Sequence, residues 1–136
     1  ALMRTVLTGK VSKRHEELHA AAHEALLAVE QAMVPGNTFG DVFNAHAQVM
    51  DASGLARHRL NACGYSQGAR FTPSWMDMPM FYEGNSEPIV PDMTLFAHMI
   101  IMDSDTQTAM TLGRTYLTTA AAPVSLSSQP LGLIAR

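Results

Sequence analysis

One stretch restricts this chain more than any other: Met93-Thr94-Leu95-Phe96-Ala97-His98-Met99-Ile100-Ile101-Met102. Only a threonine and a histidine interrupt its apolar side chains. The run is far shorter than the roughly 20 residues needed to span a bilayer. A continuous apolar run of this length reads as a strand covered on both faces. The residues after it, Asp103-Ser104-Asp105-Thr106, carry turn chemistry. Residues 108–118 then return as a second strand, so the pair makes a hairpin. Such a hairpin needs covering elements, and these lie upstream.

Residues 3–9 read as a short strand ended by Gly9. Ser12 is placed to cap a long helix, in which Leu18, Ala22, Ala25, Val29 and Ala32 recur at spacings of three and four. Glu16, Glu17, Glu24 and Glu30 fall largely off that stripe. Pro35-Gly36 disfavours continuation and supplies a turn. Thr38 and Asp41 have the spacing of a capping pair, with Asp in place of Glu. They open a second helix bearing Phe39, Val42, Phe43, His46, Val49 and Met50, with Gly54 as its stop. A strand is expected over 67–72. Residues 73–92 hold four prolines and Gly84 and are expected to form an irregular loop, unusually rich in Met and aromatics around 74–82. Residues 119–136 read as a tail or edge segment. The order is strand, helix, helix, strand, loop, hairpin: an α+β fold with helices on one face of an antiparallel sheet.

At 136 residues, 47% apolar and 15% charged, the chain fits one globular domain. Its net charge of −3 and nine scattered Lys and Arg favour neither nucleic acid nor an anionic membrane. A single cysteine permits no internal disulfide and no cysteine zinc cluster, which fits a reducing cytoplasm. Ala1-Leu2-Met3-Arg4 lacks the pattern of a signal peptide, and the chain is expected to be a fragment or a processed product.

Individual residues carry weaker signals. Cys63 reads as a bystander thiol, since no His–Asn or His–Asp motif accompanies it. His46 falls on an apolar helix face and reads as a packed core histidine. His15, His19 and His23 share a helix face, which permits a metal site, but without acidic or cysteine partners they read as solvated surface. Asp103 and Asp105 superficially resemble a cation pair, and turn chemistry explains them better. The loop around 74–82 suits a pocket lip or a subunit interface as well as a segment folded on its own core.

Four short motifs then occur in order. They are Arg4-Thr5-Val6 with Gly9-Lys10, Val34-Pro35-Gly36-Asn37-Thr38, Gly64-Tyr65-Ser66-Gln67-Gly68 and Val90-Pro91-Asp92-Met93-Thr94. Across residues 2–120 the chain resembles the C-terminal part of the creatinase/methionine-aminopeptidase superfamily, the pita-bread fold. Xaa-Pro dipeptidases and aminopeptidases, creatinase and ectoine hydrolase belong to that group. The resemblance implies two helices on a curved antiparallel sheet, residues 1–136 forming the C-terminal portion of a catalytic domain with 119–136 as its tail.

What the resemblance implies about chemistry is specific. Metal-dependent members hold two divalent cations with two Asp, one His and two Glu, and the metals activate a water that attacks an amide carbon. The metal histidine corresponds to Tyr65, the first Glu to His98 and the last Glu to about Gly113. One Asp falls near Ala1 and the other before this chain. The substrate-facing histidine corresponds to Thr72. A dinuclear Mn, Co or Zn centre is therefore not expected, and no cofactor is. Metal-free members resembling this chain in lacking the ligand set cleave C–N bonds with protonatable side chains. Here His98 would be the acid–base group and Tyr65 a donor to a developing oxyanion. His58, Thr72, Trp75 and Asp77 would bind substrate, with Trp75 offering a cation–π face and Asp77 an anion. The expected partners are a small nitrogenous substrate and a second copy of the chain, because the hairpin and the 74–82 loop carry more apolar surface than a small domain buries. The rival expectation is a catalytically dead binding or dimerisation module.

Overall fold

The computed structural model describes residues 1–68 and 77–136. Two helices pack on one face of an antiparallel sheet. Helix α1 spans Lys13–Ala32. Ser12 caps it: its hydroxyl accepts the His15 backbone N–H at 3.3 Å, and His15 Nδ1 accepts the Ser12 N–H at 3.1 Å. A histidine thus completes a capping box usually closed by Glu or Gln. Leu18, Ala22, Ala25, Leu26 and Val29 face inward and are fully buried. Helix α2 spans Phe39–Ala52. Asp41 Oδ2 accepts the Thr38 N–H at 2.8 Å and Thr38 Oγ1 accepts the Asp41 N–H at 3.1 Å, so the expected pair forms. Past Ser53, Gly54 takes φ +72°, a conformation that suits a residue without Cβ just beyond a helix.

The sheet is built from β1 (Leu2–Arg4), β3 (Ala62–Ser66), β4 (Met80–Tyr82), β5 (Thr94–Asp103) and β6 (Thr108–Leu117), in the order β1-β6-β5-β3-β4. A short β7 (Val124–Ser125) also pairs with β6. β5 and β6 form the expected hairpin, in register from Thr94↔Leu117 to Asp103↔Thr108. Side chains alternate across a strand. Leu95, Ala97, Met99 and Ile101 therefore join Leu112 and Tyr116 in the helix-covered core. Each large side chain fully buried there contributes about 1.5–3 kcal/mol. Phe96 and His98 face the other way.

The structure corrects several sequence expectations. A strand precedes the span expected over 67–72, at Ala62–Ser66, where Gly64, Tyr65 and Ser66 pair with Ala97, Phe96 and Leu95, and Gln67 and Gly68 lie outside it. Residues 69–76 lie outside the described residues, and with them most of that expected span. The 73–92 segment is not wholly irregular: Met80–Tyr82 adds a strand on β3, and Phe81 anchors it in the core at 0% exposure. The opening strand breaks in two, Leu2–Arg4 on β6 and β2 (Val6–Leu7) in parallel with β8 (Ile134–Ala135). The terminal segment is thus held twice, through β7 on β6 and through β8 on β2, rather than trailing from the sheet. The histidine row is not freely solvated. All three rings are half-buried; His15 closes the cap, and His19 Nε2 lies 2.8 Å from the Leu131 carbonyl oxygen and stacks with His23 at 6.2 Å. Among the described residues, no helix is long and apolar enough to cross a membrane.

Candidate functional site

The sheet face turned away from the helices carries the candidate site. β5 presents Phe96 and His98 there, two residues apart. β3 presents Tyr65 opposite Phe96, and β6 places Gly113 opposite His98 and Thr115 opposite Phe96. The three rings form a compact cluster. Tyr65 and His98 are 5.7 Å apart between centroids, Tyr65 and Phe96 5.6 Å, and Phe96 and His98 5.6 Å. All three are more than nine-tenths buried. Burial lowers the His98 pKa, so its imidazole is neutral at pH 7 and suited to accept a proton. Among the described residues its Nδ1 has no hydrogen-bond partner. Burial raises the Tyr65 pKa, which keeps the phenol protonated and a donor.

Gly113 explains why the rings meet. A Cβ there would lie 2.9 Å from both the Ala97 carbonyl oxygen and the Phe96 ring. The absence of a side chain lets the Phe96 ring approach β6 closely. Gly64 on β3 makes room for other atoms, since a Cβ there would come within 2.3 Å of the Phe96 carbonyl oxygen and 2.5 Å of the Phe81 ring. Beside the rings, Thr115 Oγ1 donates to the Gln67 side-chain oxygen at 2.8 Å.

The remaining candidates are dispersed. Asp77 packs against Gly68, where an added Cβ would lie 2.6 Å from Asp77 Oδ2, and its Oδ1 accepts the Met78 N–H at 2.9 Å. Thr72 and Trp75 lie outside the described residues. His58 lies at the far end of β5, with Nε2 3.7 Å from Asp103 and 3.6 Å from Asp105. Those three residues offer ligand atoms all within 4.8 Å of one another. Both carboxylates already face arginine, however: Arg14 bonds Asp103 at 2.7 Å, and Arg57 bonds Asp105. Asp103 Oδ1 also accepts the Asp105 and Thr106 N–H groups, the turn chemistry expected from sequence. Thr106, through its hydroxyl and its N–H, and Arg14 hold the Asp103 carboxyl down to about 2. Cys63 is buried in the core, and desolvation pushes its thiol far above the thiolate range, so it is no nucleophile. Sequence reasoning missed Phe96. The signal was present, since Phe96 and His98 share a face by strand parity.

An antiparallel sheet backed by two helices, with the ring cluster on its other face, is the architecture of the C-terminal portion of a pita-bread domain. The chain belongs to metallopeptidase family M24, whose family model matches residues 1–120. It is similar in fold to the dipeptidase PepE of Mycobacterium ulcerans, with 22% identity and a TM-score of 0.87, covering 98% of this chain and 35% of that one. The Xaa-Pro dipeptidase of Bacillus anthracis aligns at 16% identity and a TM-score of 0.88, covering 99% and 37%. The N-terminal domain of the FACT complex subunit SPT16 from chickpea aligns at 14% identity and a TM-score of 0.78, covering 92% and 32%. The chain spans about a third of the length of these structures. No curated protein sequence matches it.

The family name implies metal, and the residues here are a poor fit for a dinuclear centre. Hard divalent pairs take carboxylates. At the three positions implied by the resemblance, this face offers a phenol, an imidazole and a glycine whose side-chain space holds the Phe96 ring. No carboxylate fits at 113 without displacing that ring.

Proposed function

We propose that this chain is the catalytic C-terminal portion of an M24-type hydrolase that cleaves a C–N bond, amide or amidine, of a small nitrogenous compound without a dinuclear metal centre. The observation that carries the reading is the buried Tyr65–Phe96–His98 cluster, with Phe96 filling the space over Gly113. Neutral His98 takes a proton from water as the water oxygen bonds to the carbon. The Tyr65 hydroxyl donates to the oxyanion that forms. Collapse breaks the C–N bond, and the imidazolium returns its proton to the leaving nitrogen. Asp77, Trp75 and Thr72 are the substrate-binding residues in this reading; His58, expected among them, stands instead beside Asp103 and Asp105 at the far end of β5. The protein works as a cytoplasmic homodimer, without nucleic-acid or membrane partners.

The test is elemental analysis plus a C–N hydrolase screen on the longest natural chain. Turnover with no stoichiometric metal, and insensitive to chelators, supports the reading. About two Mn, Co or Zn per chain overturns it in favour of a metal-dependent Xaa-Pro dipeptidase or lyase with further ligands outside this segment. A second reading, an inactive binding or dimerisation module, is favoured by the FACT-subunit fold neighbour, which is not described as a peptidase. It gains if the screen finds no turnover with any substrate.

A further inference from the structure

On the helix-covered side of the sheet, at its edge, two arginines stand together. Arg4 on β1 and Arg114 on β6 are diagonal neighbours, since Leu2 pairs with Arg114 and Arg4 with Leu112. Like charges placed this way repel. Among the described residues, neither guanidinium has a carboxylate oxygen within salt-bridge distance. Their partners are neutral backbone carbonyls. Arg4 donates to the carbonyl oxygens of Met3 and Gly113 at 2.8 Å, and to those of Gln129 and Pro130 at 3.3 Å. Arg114 donates to the same Gln129 carbonyl at 2.8 Å. Its Nε is shut off from solvent and has no partner among the described residues. Burial and then Glu30 raise the Tyr116 hydroxyl pKa, and Arg114 beside it pulls the other way. The Arg4 pKa is lowered, first by burial and then by Arg114, which marks a charge short of compensation.

Beside this pair lies a cleft of about 390 Å³, lined by Arg4, Leu2, Pro130, Gly132, Leu133 and Ile134 among others. That size suits a small molecule. One wall is cationic and the rest is mainly apolar. We propose that this cleft is a binding site for an aliphatic carboxylate, its anionic end on Arg4 with Arg114 behind and its hydrocarbon end on Leu2, Leu133 and Ile134. A carboxylate supplies what the neutral carbonyls do not, a full negative charge against the pair, and Arg4 keeps one N–H of its five beyond those the four carbonyls take. The site is on the opposite face from the His98 cluster, so its occupant is not the compound hydrolysed there.

The test measures binding to the natural protein by titration calorimetry. Hexanoate stands for a free aliphatic acid and N-acetyl-alanyl-leucine for a peptide C-terminus, each paired with its neutral amide. Arg4 braces four carbonyls, so its removal risks the fold. Gly132 gives a safer probe, because a Cβ there meets nothing within 4 Å. Gly132→Glu places a competing carboxylate in the cleft, and Gly132→Gln is its uncharged control. The expected result is that at least one acid binds tenfold or more tightly than its amide. Gly132→Glu should weaken that acid at least tenfold, and Gly132→Gln should leave it within about twofold. The preferred acid identifies the source of the carboxylate. If neither acid outbinds its amide, or if Gly132→Glu and Gly132→Gln act alike, the arginine pair is only a brace for the 129–136 segment.

Discussion

His46 makes the stability of this fold depend on pH in a way that can be worked out. It lies on α2 at 1% exposure, and its Nδ1 has no hydrogen-bond partner among the described residues. Burial, with Arg59 and His98 adding to it, pulls its pKa from 6.5 down to about 4. The unfolded chain keeps the ordinary value near 6.5. The folded state therefore binds fewer protons in this range. Its stability is fully present above about pH 6.5 and falls as the pH drops toward 4. The fall from 6.5 to about 4 corresponds to about 3 kcal/mol, of which roughly 2 kcal/mol is lost between pH 7 and 5. For a chain of this length that is about 6 °C in Tm. His98, also lowered, adds to the loss with the same sign. Asp103, held at about 2, contributes only below about pH 4. The assay is urea unfolding followed by circular dichroism at pH 5, 6 and 7, on the parent and on His46→Leu. Leucine fills a similar space without a titrating nitrogen. The parent should lose about 2 kcal/mol or more between pH 7 and 5, and His46→Leu should lose clearly less. Parallel pH dependences in the two chains would refute the assignment of the effect to His46.

Other perturbations have defined outcomes. Gly113→Ala presses a methyl into the Phe96 ring and the Ala97 carbonyl, and should cost about 1–3 kcal/mol in urea unfolding. Gly64→Ala meets backbone oxygen at 2.3 Å and should cost more than Gly113→Ala in the same measurement. Arg14→Ala strips the buried Asp103 carboxylate of its cation; a loss of about 1–3 kcal/mol is expected, partly restored by adding Asp103→Asn. In the full-length protein, His98→Ala should abolish turnover while leaving circular dichroism and Tm near those of the parent. Persistent turnover would remove His98 from the proposed chemistry.

The helices were legible in the sequence because local signals decide them. Ser12, Thr38, Asp41, Pro35 and Gly54 act within a turn or two of themselves, and apolar spacing does the rest. The central hairpin was legible because ten consecutive residues agree. The short strands were not. Met80–Tyr82 is held by pairing with β3 and by Phe81 in the core, neither of which three residues can announce. Val6–Leu7 and Ile134–Ala135 are strands only because each finds the other across the whole chain. The juxtaposition of Tyr65 and His98 followed from the family register rather than from spacing, since 33 positions separate them and only strand pairing brings them together. The Arg4–Arg114 pair was hidden for the same reason.

The fit of Phe96 against Gly113 also governs which sequences lie within reach of this one. With the ring in place, any side chain at 113 must force backbone or aromatic atoms apart. With the ring trimmed but 113 still glycine, the sheet face holds a void. Each single change is thus penalised, and trimming Phe96 relieves the ring's share of the clash at 113 while the Ala97 carbonyl stays, so effects at 96 and 113 should be non-additive. A carboxylate cannot be installed on β6 by one substitution. The two strands hold their chemistry as a joint setting, and mutational drift at either position alone leads downhill in stability before it leads anywhere new.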